Sequence, residues 1–123
     1  MDGRTDQLRE KLNRLILEAA EASVELDRAD GTIQGVPHYS VIELRAHELG
    51  QQLSRKIQER QMAETVASET TKCKCPDCGT RCELVAKKRA VKSIDGQIEL
   101  QDLQGYCPFC RRSFFPSTGE ARI

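Results

Sequence analysis

Six cysteines in 123 residues are the side chains best able to do chemistry here, and four of them fall into a pattern. Cys75-Pro76-Asp77-Cys78-Gly79 is followed by Cys107-Pro108-Phe109-Cys110, with 28 residues between Cys78 and Cys107. Two cysteines separated by two residues can aim both sulfurs at one ion from a single tight turn. Backbone N–H groups of that turn can then donate to the thiolates. Pro76 and Pro108 narrow the conformations at the start of each turn, and Gly79 permits a positive φ at the end of the first. Two such knuckles supply four sulfurs, the closed tetrahedral set of a structural zinc site. The expectation is one structural Zn²⁺ held by Cys75, Cys78, Cys107 and Cys110.

Other uses of cysteine fit less well. Disulfides belong to oxidising compartments, whereas Met1–Glu10 is polar and charged and has no apolar signal core. A cytoplasmic protein is therefore expected, and clustered cysteines there act as metal ligands. CxxC also occurs in thiol exchange, but no thioredoxin-like βαβ pattern accompanies it. Cys73 and Cys82 lie near the first knuckle at spacings poorer than CxxC, and are expected not to be ligands. A redox switch through this pair is the third functional reading.

The elements that must position the knuckles can be read from the chain between and before them. Asp95-Gly96 is a favoured two-residue hairpin turn, and predicts that Lys92 faces Glu99, Arg89 faces Asp102, Val91 faces Leu100 and Val85 faces Tyr106. In that register Lys87 and Lys88 face Gln104 and Leu103, which leaves them open to a partner. After the second knuckle, Arg111 and Arg112 suit phosphate contacts. Phe114 and Phe115 are expected to form the small core beneath the metal site, the alternative being stacking on bases.

Further upstream the periodicity is helical. Leu8, Leu12, Leu15, Ala19, Ala22 and Leu26 recur at spacings of 4, 3, 4, 3 and 4, an a/d seam along one helix face. Thr5 is the expected cap, and Asp30-Gly31 the end. Residues 31–39 hold two Gly and one Pro and read as a loop. Ser40 with Glu43 has the spacing of a capping box, after which Ile42, Ala46, Leu49, Leu53 and Ile57 continue a stripe. The helices are predicted over about 6–30 and 41–68, before a polar linker, 69–72. Two such helices form an antiparallel hairpin that buries only one seam, so a homodimer or a docking partner is expected to cover the rest, the alternative being packing on the chain's own zinc ribbon. His38 and His47 read as ordinary polar residues.

The fold class expected is thus α+β: an N-terminal antiparallel α-helical hairpin over 1–71, then a small β zinc ribbon over 72–123. Only 38% of residues are hydrophobic and 4% aromatic, too few for a large core, so a metal or a partner should carry part of the stability. No apolar run approaches about 18 residues, so no membrane span is expected. The zero net charge conceals an asymmetry. Residues 1–71 carry nine Lys/Arg against thirteen Asp/Glu, and residues 72–123 carry ten against six. The basic ribbon would attract polyanions. No Gly-rich phosphate loop, Ser/His/Asp set or carboxylate motif is present, so no enzyme activity is expected.

The CPxCG knuckle, the hairpin with "SIDGQIEL" and the run "GYCPFCRRSFFP" resemble the N-terminal region of bacterial insertion-sequence transposases of the ISKra type. The segment "IELRAHELGQQLSRKIQERQ" is similar to the helix leading into that ribbon, and the resemblance covers roughly residues 40–118. It implies the same four zinc-ligating cysteines and binding of transposon DNA, with Arg111 and Arg112 in the tail of the motif. The expected function is a non-catalytic DNA-binding module contacting phosphates through Lys87, Lys88, Arg111 and Arg112. The alternative is a zinc-dependent protein-interaction adaptor.

Overall fold

The computed structural model describes residues 3–67, 72–117 and 120–122. Two helices precede the strands, giving an α+β fold with a helical hairpin and a ribbon-like β region, as the sequence implies. The elements are α1 (Gly3–Ala29), α2 (Tyr39–Ala67), β1 (Lys72–Lys74), β2 (Arg81–Ser93), β3 (Gly96–Cys107), β4 (Arg112–Phe115) and β5 (Glu120–Arg122). The strands pair antiparallel in chain order, β1-β2-β3-β4-β5. Residues 1–46 and 47–123 form two compact units, a division that falls inside α2. Composition places its boundary elsewhere, between residues 71 and 72, beside the segment 68–71 that lies outside the described residues.

Both helices start earlier than the cap rules suggest. α1 begins at Gly3, so Thr5 lies inside its first turn and is not the residue before it. At its end, Asp30 N–H still donates to the Leu26 carbonyl at 2.9 Å, and the chain then turns through Gly31 at φ 80°. α2 begins at Tyr39, which places Ser40 within the helix and leaves no capping box. His38 caps it instead: the Ser40 N–H donates to His38 Nδ1 at 3.1 Å, and the Val41 N–H donates to the His38 carbonyl at 3.0 Å. An imidazole nitrogen thus takes the acceptor role usually filled by a hydroxyl. Helix α2 is described to Ala67, so the expected end at Ser68 and the linker 69–71 lie outside the described residues. Lys72 belongs to β1.

Within the first unit the one buried helical side chain is Asp27, whose carboxylate receives Arg45 Nη2 at 2.8 Å. The apolar stripes form as the periodicity predicts but are not covered. Leu8, Leu12, Leu15 and Leu26 are each about half exposed, and none of the 29 residues of α2 is buried.

The β2–β3 hairpin forms, in a register displaced by two residues from the predicted one. Ser93 pairs with Gly96, leaving Ile94 and Asp95 as the turn. Lys92 consequently faces Gln97, Val91 faces Ile98, Arg89 faces Leu100, Lys87 faces Asp102, Lys88 faces Gln101 and Val85 faces Gln104. The cause lies in contacts that a local turn rule does not contain. Ser93 Oγ accepts the Asp95 N–H at 3.2 Å and donates to the Gly96 carbonyl at 2.6 Å. From α2, the Ser54 hydroxyl bonds the Asp95 carboxylate, and Arg55 Nη1 donates to the Asp95 carbonyl at 2.8 Å. A shift of two residues preserves the face of every side chain. Arg89 therefore still reaches Asp102, now diagonally, at 2.8 Å.

Each face of this hairpin contributes to a small cluster. On one, Asp102 is buried and accepts Arg89 Nε, the Ser117 hydroxyl at 2.9 Å and the Leu103 N–H at 2.8 Å. The Arg89 guanidinium also stacks 4.0 Å from the Phe115 ring centroid. On the other, Cys82, Leu84, Cys107 and Phe114 pack with Cys75. Phe114 and Phe115 are both buried, so they are core and not exposed stacking residues. Gly105 makes this packing feasible: it faces Phe114 across the strands, and a Cβ there would meet the ring at 2.5 Å.

Candidate metal centre

The two knuckles are built alike. In the first, Cys75 accepts the Asp77 N–H on its sulfur at 3.4 Å, and its carbonyl accepts the Gly79 N–H at 2.9 Å. In the second, Cys107 accepts the Cys110 N–H on its sulfur at 3.3 Å, and its carbonyl accepts the Arg111 N–H at 2.7 Å. The residue four past each first cysteine has a positive φ: 78° at Gly79 and 58° at Arg111. The first knuckle uses the residue type suited to that conformation. The second places an arginine there, whose Cβ makes the left-handed backbone unfavourable by about 1 kcal/mol.

Strand pairing brings the knuckles together. The first follows β1 and leads into β2, and the second joins β3 to β4, with Cys107 opposite Arg112. The Cys75 N–H also donates to the Thr80 carbonyl at 2.7 Å, closing the first turn. Across the two turns, Arg112 Nη1 meets Asp77 Oδ2 at 3.1 Å. As a result the Sγ atoms of Cys75, Cys78, Cys107 and Cys110 all lie within 4.8 Å of one another. Cys75 to Cys110 is 3.9 Å and Cys78 to Cys107 is 3.6 Å. A tetrahedral site with metal–sulfur bonds of about 2.3 Å has sulfur–sulfur edges of about 3.8 Å. The cluster fits a metal ion held by four thiolates.

The closeness of the four sulfurs also sets their electrostatics. Cys78 is pulled down to about 6, first by the Thr80 hydroxyl 3.0 Å away. Cys110 is pushed up to about 12, first by its contact with Cys78 and then by burial. The Cys110 N–H lowers Cys107. Four thiolates this close together repel one another and need a central cation to offset that repulsion.

No protein-family model matches this chain, and no curated protein or solved structure is significantly similar to it. The functional reading rests on the geometry above.

Cys73 and Cys82 stand outside the set of four. They face each other across β1 and β2, with Cys82 buried against the cluster and raised by that burial. Cys73 packs at its edge. Their packing role was not legible from spacing alone.

The four predicted basic residues are all exposed. Arg111 and Arg112 are adjacent at the second knuckle, while Lys87 and Lys88 are consecutive on β2 and so point to opposite faces. A single flat contact on the strand cannot engage both lysines equally. Arg112 already pairs with Asp77, an exposed ion pair worth about 0–1 kcal/mol. Sequence reasoning missed Phe109, which is 79% exposed inside the second knuckle. Its position between the two ligands, where no strand covers it, was the available signal.

Proposed function

We propose that this chain is a zinc-ribbon DNA-binding module, non-catalytic and cytoplasmic, related to the N-terminal region of ISKra-type transposases. The metal is Zn²⁺, because four thiolates in a closed tetrahedral arrangement suit a structural zinc ion with no open position for substrate. The ion supplies folding free energy and fixes the two knuckles. The observation that carries the DNA reading is the exposed set on the second knuckle: Phe109, Arg111 and Arg112 on a rigid turn. An exposed aromatic ring beside guanidinium groups provides a stacking surface and phosphate contacts together. Lys87 or Lys88 extends the contact along β2. The relation to transposases is supported by the knuckle, hairpin and "FFP" motifs of the sequence.

A salt titration of the zinc-loaded protein on single- and double-stranded DNA tests this reading. The log–log slope should be about −0.9 per phosphate on duplex and about −0.7 on single strands. Arg111→Ala with Arg112→Ala should reduce the slope by about 1.5–2, and Phe109→Ala should weaken single-strand binding about tenfold or more. Absence of binding at low salt would move the function to the second reading, a protein-interaction adaptor. That reading is favoured by the exposed apolar stripes on both helices.

A further inference from the structure

The a/d face of α1 has no cover within its own unit. Leu8, Leu12, Leu15 and Leu26 are about half exposed, and Ala19 and Ala22 are exposed with them. An apolar seam five turns long is seldom left open to water, because covering it removes apolar surface from solvent. We infer that this seam is the interface of a homodimer in which two α1 helices pair antiparallel, in a single register centred between Asn13 and Arg14.

Charge decides both the orientation and the register. With Leu12, Ala19 and Leu26 at a, and Leu8, Leu15 and Ala22 at d, the flanking g positions are Arg4, Lys11, Glu18 and Glu25. This row is basic in its first half and acidic in its second. Antiparallel helices place g against g. In the central register Arg4 faces the partner's Glu25 and Lys11 faces the partner's Glu18, and symmetry repeats both pairs. All four contacts join opposite charges. Glu18 also meets Arg14 on its own helix at 3.6 Å, an exposed pair that leaves its second oxygen open to Lys11 of the partner subunit.

The core layers agree. Leu12 faces the partner's Leu15, Leu8 faces the partner's Ala19 and Thr5 faces the partner's Ala22, so the largest side chains meet at the centre. At the e positions the aliphatic stem of Arg9 lies over the partner's Ile16, which is itself half exposed in the protomer. The competing arrangements are poorer in charge. Sliding the antiparallel pair by one heptad sets Glu18 against the partner's Glu18, or Lys11 against the partner's Lys11, and keeps two attractive pairs in place of four. A parallel pair matches g to the following e, which opposes Arg4 to the partner's Arg9 and gives no attractive pair. This inference stands apart from the DNA reading, because it uses no residue of the ribbon.

The test is sedimentation equilibrium of the zinc-loaded full chain at low salt, on the wild type, Lys11→Glu and Glu18→Lys. The wild type should be dimeric. Each single variant should dimerise about tenfold more weakly, because two symmetric attractions become repulsions. An equimolar mixture of the two variants should recover wild-type association, since both inter-helix pairs are again of opposite charge. Circular dichroism of each variant reports whether α1 remains helical. A monomeric wild type overturns the inference. So does a mixture that associates no better than its components, which would rule out this orientation and register.

Discussion

The helices and the ribbon meet the same shortage of apolar residues in opposite ways. In the ribbon, strand pairing folds the chain back so that Cys107, Phe114, Phe115 and Asp102 are almost fully buried in a small volume. In α1 the one buried side chain is a carboxylate, in α2 there is none, and the leucines of both face outward. A sheet of short strands can bury residues from both faces of one hairpin, whereas a helix buries only the face that another element covers. The ribbon thus brings together four sulfurs that could hold a metal ion, whereas the helices leave their apolar stripes exposed. Stability in a chain this small resides in a few contacts, and those contacts differ in kind between the two regions.

The largest expected effect of metal removal falls on one side of that contrast. Chelation should collapse the dispersed amide signals of residues 72–117 in a two-dimensional NMR spectrum, because binding of a structural zinc ion contributes apparent free energies of about 10–16 kcal/mol in small domains. Far-UV helical signal should persist. Retention of the ribbon's dispersion after complete removal would place its stability in the apolar cluster and erase the contrast.

A smaller effect compares the two buried carboxylates. Asp102 is fully enclosed against Arg89, which is itself mostly buried, while Asp27 pairs with an Arg45 that is more than one-third exposed. Removing one partner of a buried pair costs about 3–5 kcal/mol, so Asp102→Ala should lower the urea midpoint far more than Asp27→Ala. The latter should cost about 1 kcal/mol, since water can solvate the remaining guanidinium. Equal losses would show that the helical unit is better packed than its exposures indicate.

The smallest effect lies within the ribbon, between its two left-handed residues. Gly79→Ala adds a Cβ that meets no atom within 4 Å, so its cost of about 1 kcal/mol is conformational alone. Arg111→Gly should reverse the sign and raise stability by about 0.5–1 kcal/mol. The same change should weaken DNA binding, which would make Arg111 a position where function is held at the expense of stability. Thermal midpoints and a binding titration on the same samples read both quantities.

Much of this architecture was legible in the sequence. The four cysteines follow from spacing, because a CxxC turn is a local structure whose sulfurs need no distant information to point together. The helices follow from period, and Gly79 and Gly31 from the need for positive φ. What was hidden depends on contacts between distant residues. The hairpin register is set by Ser93 together with Ser54 and Arg55 of α2, not by the Asp95-Gly96 preference. His38 caps α2 because its ring nitrogen reaches the Ser40 N–H, a role that residue type alone does not announce. Arg111 occupies the left-handed position because the second knuckle repeats the geometry of the first without its glycine. Phe109 received no role from the sequence, and its exposure shows only once the strands beside it are in place.

The most direct measurement is metal titration of the full chain with Co²⁺ followed by Zn²⁺, on the wild type, on Cys107→Ser, and on Cys73→Ser with Cys82→Ser. One ion per chain with the intense thiolate-to-cobalt absorption of a four-sulfur tetrahedral site, displaced by zinc, is expected for the wild type. The double variant should keep that stoichiometry and spectrum, and Cys107→Ser should lose them. A wild type that takes up no metal, or a Cys107→Ser protein that binds as the wild type does, would contradict the assignment of the centre.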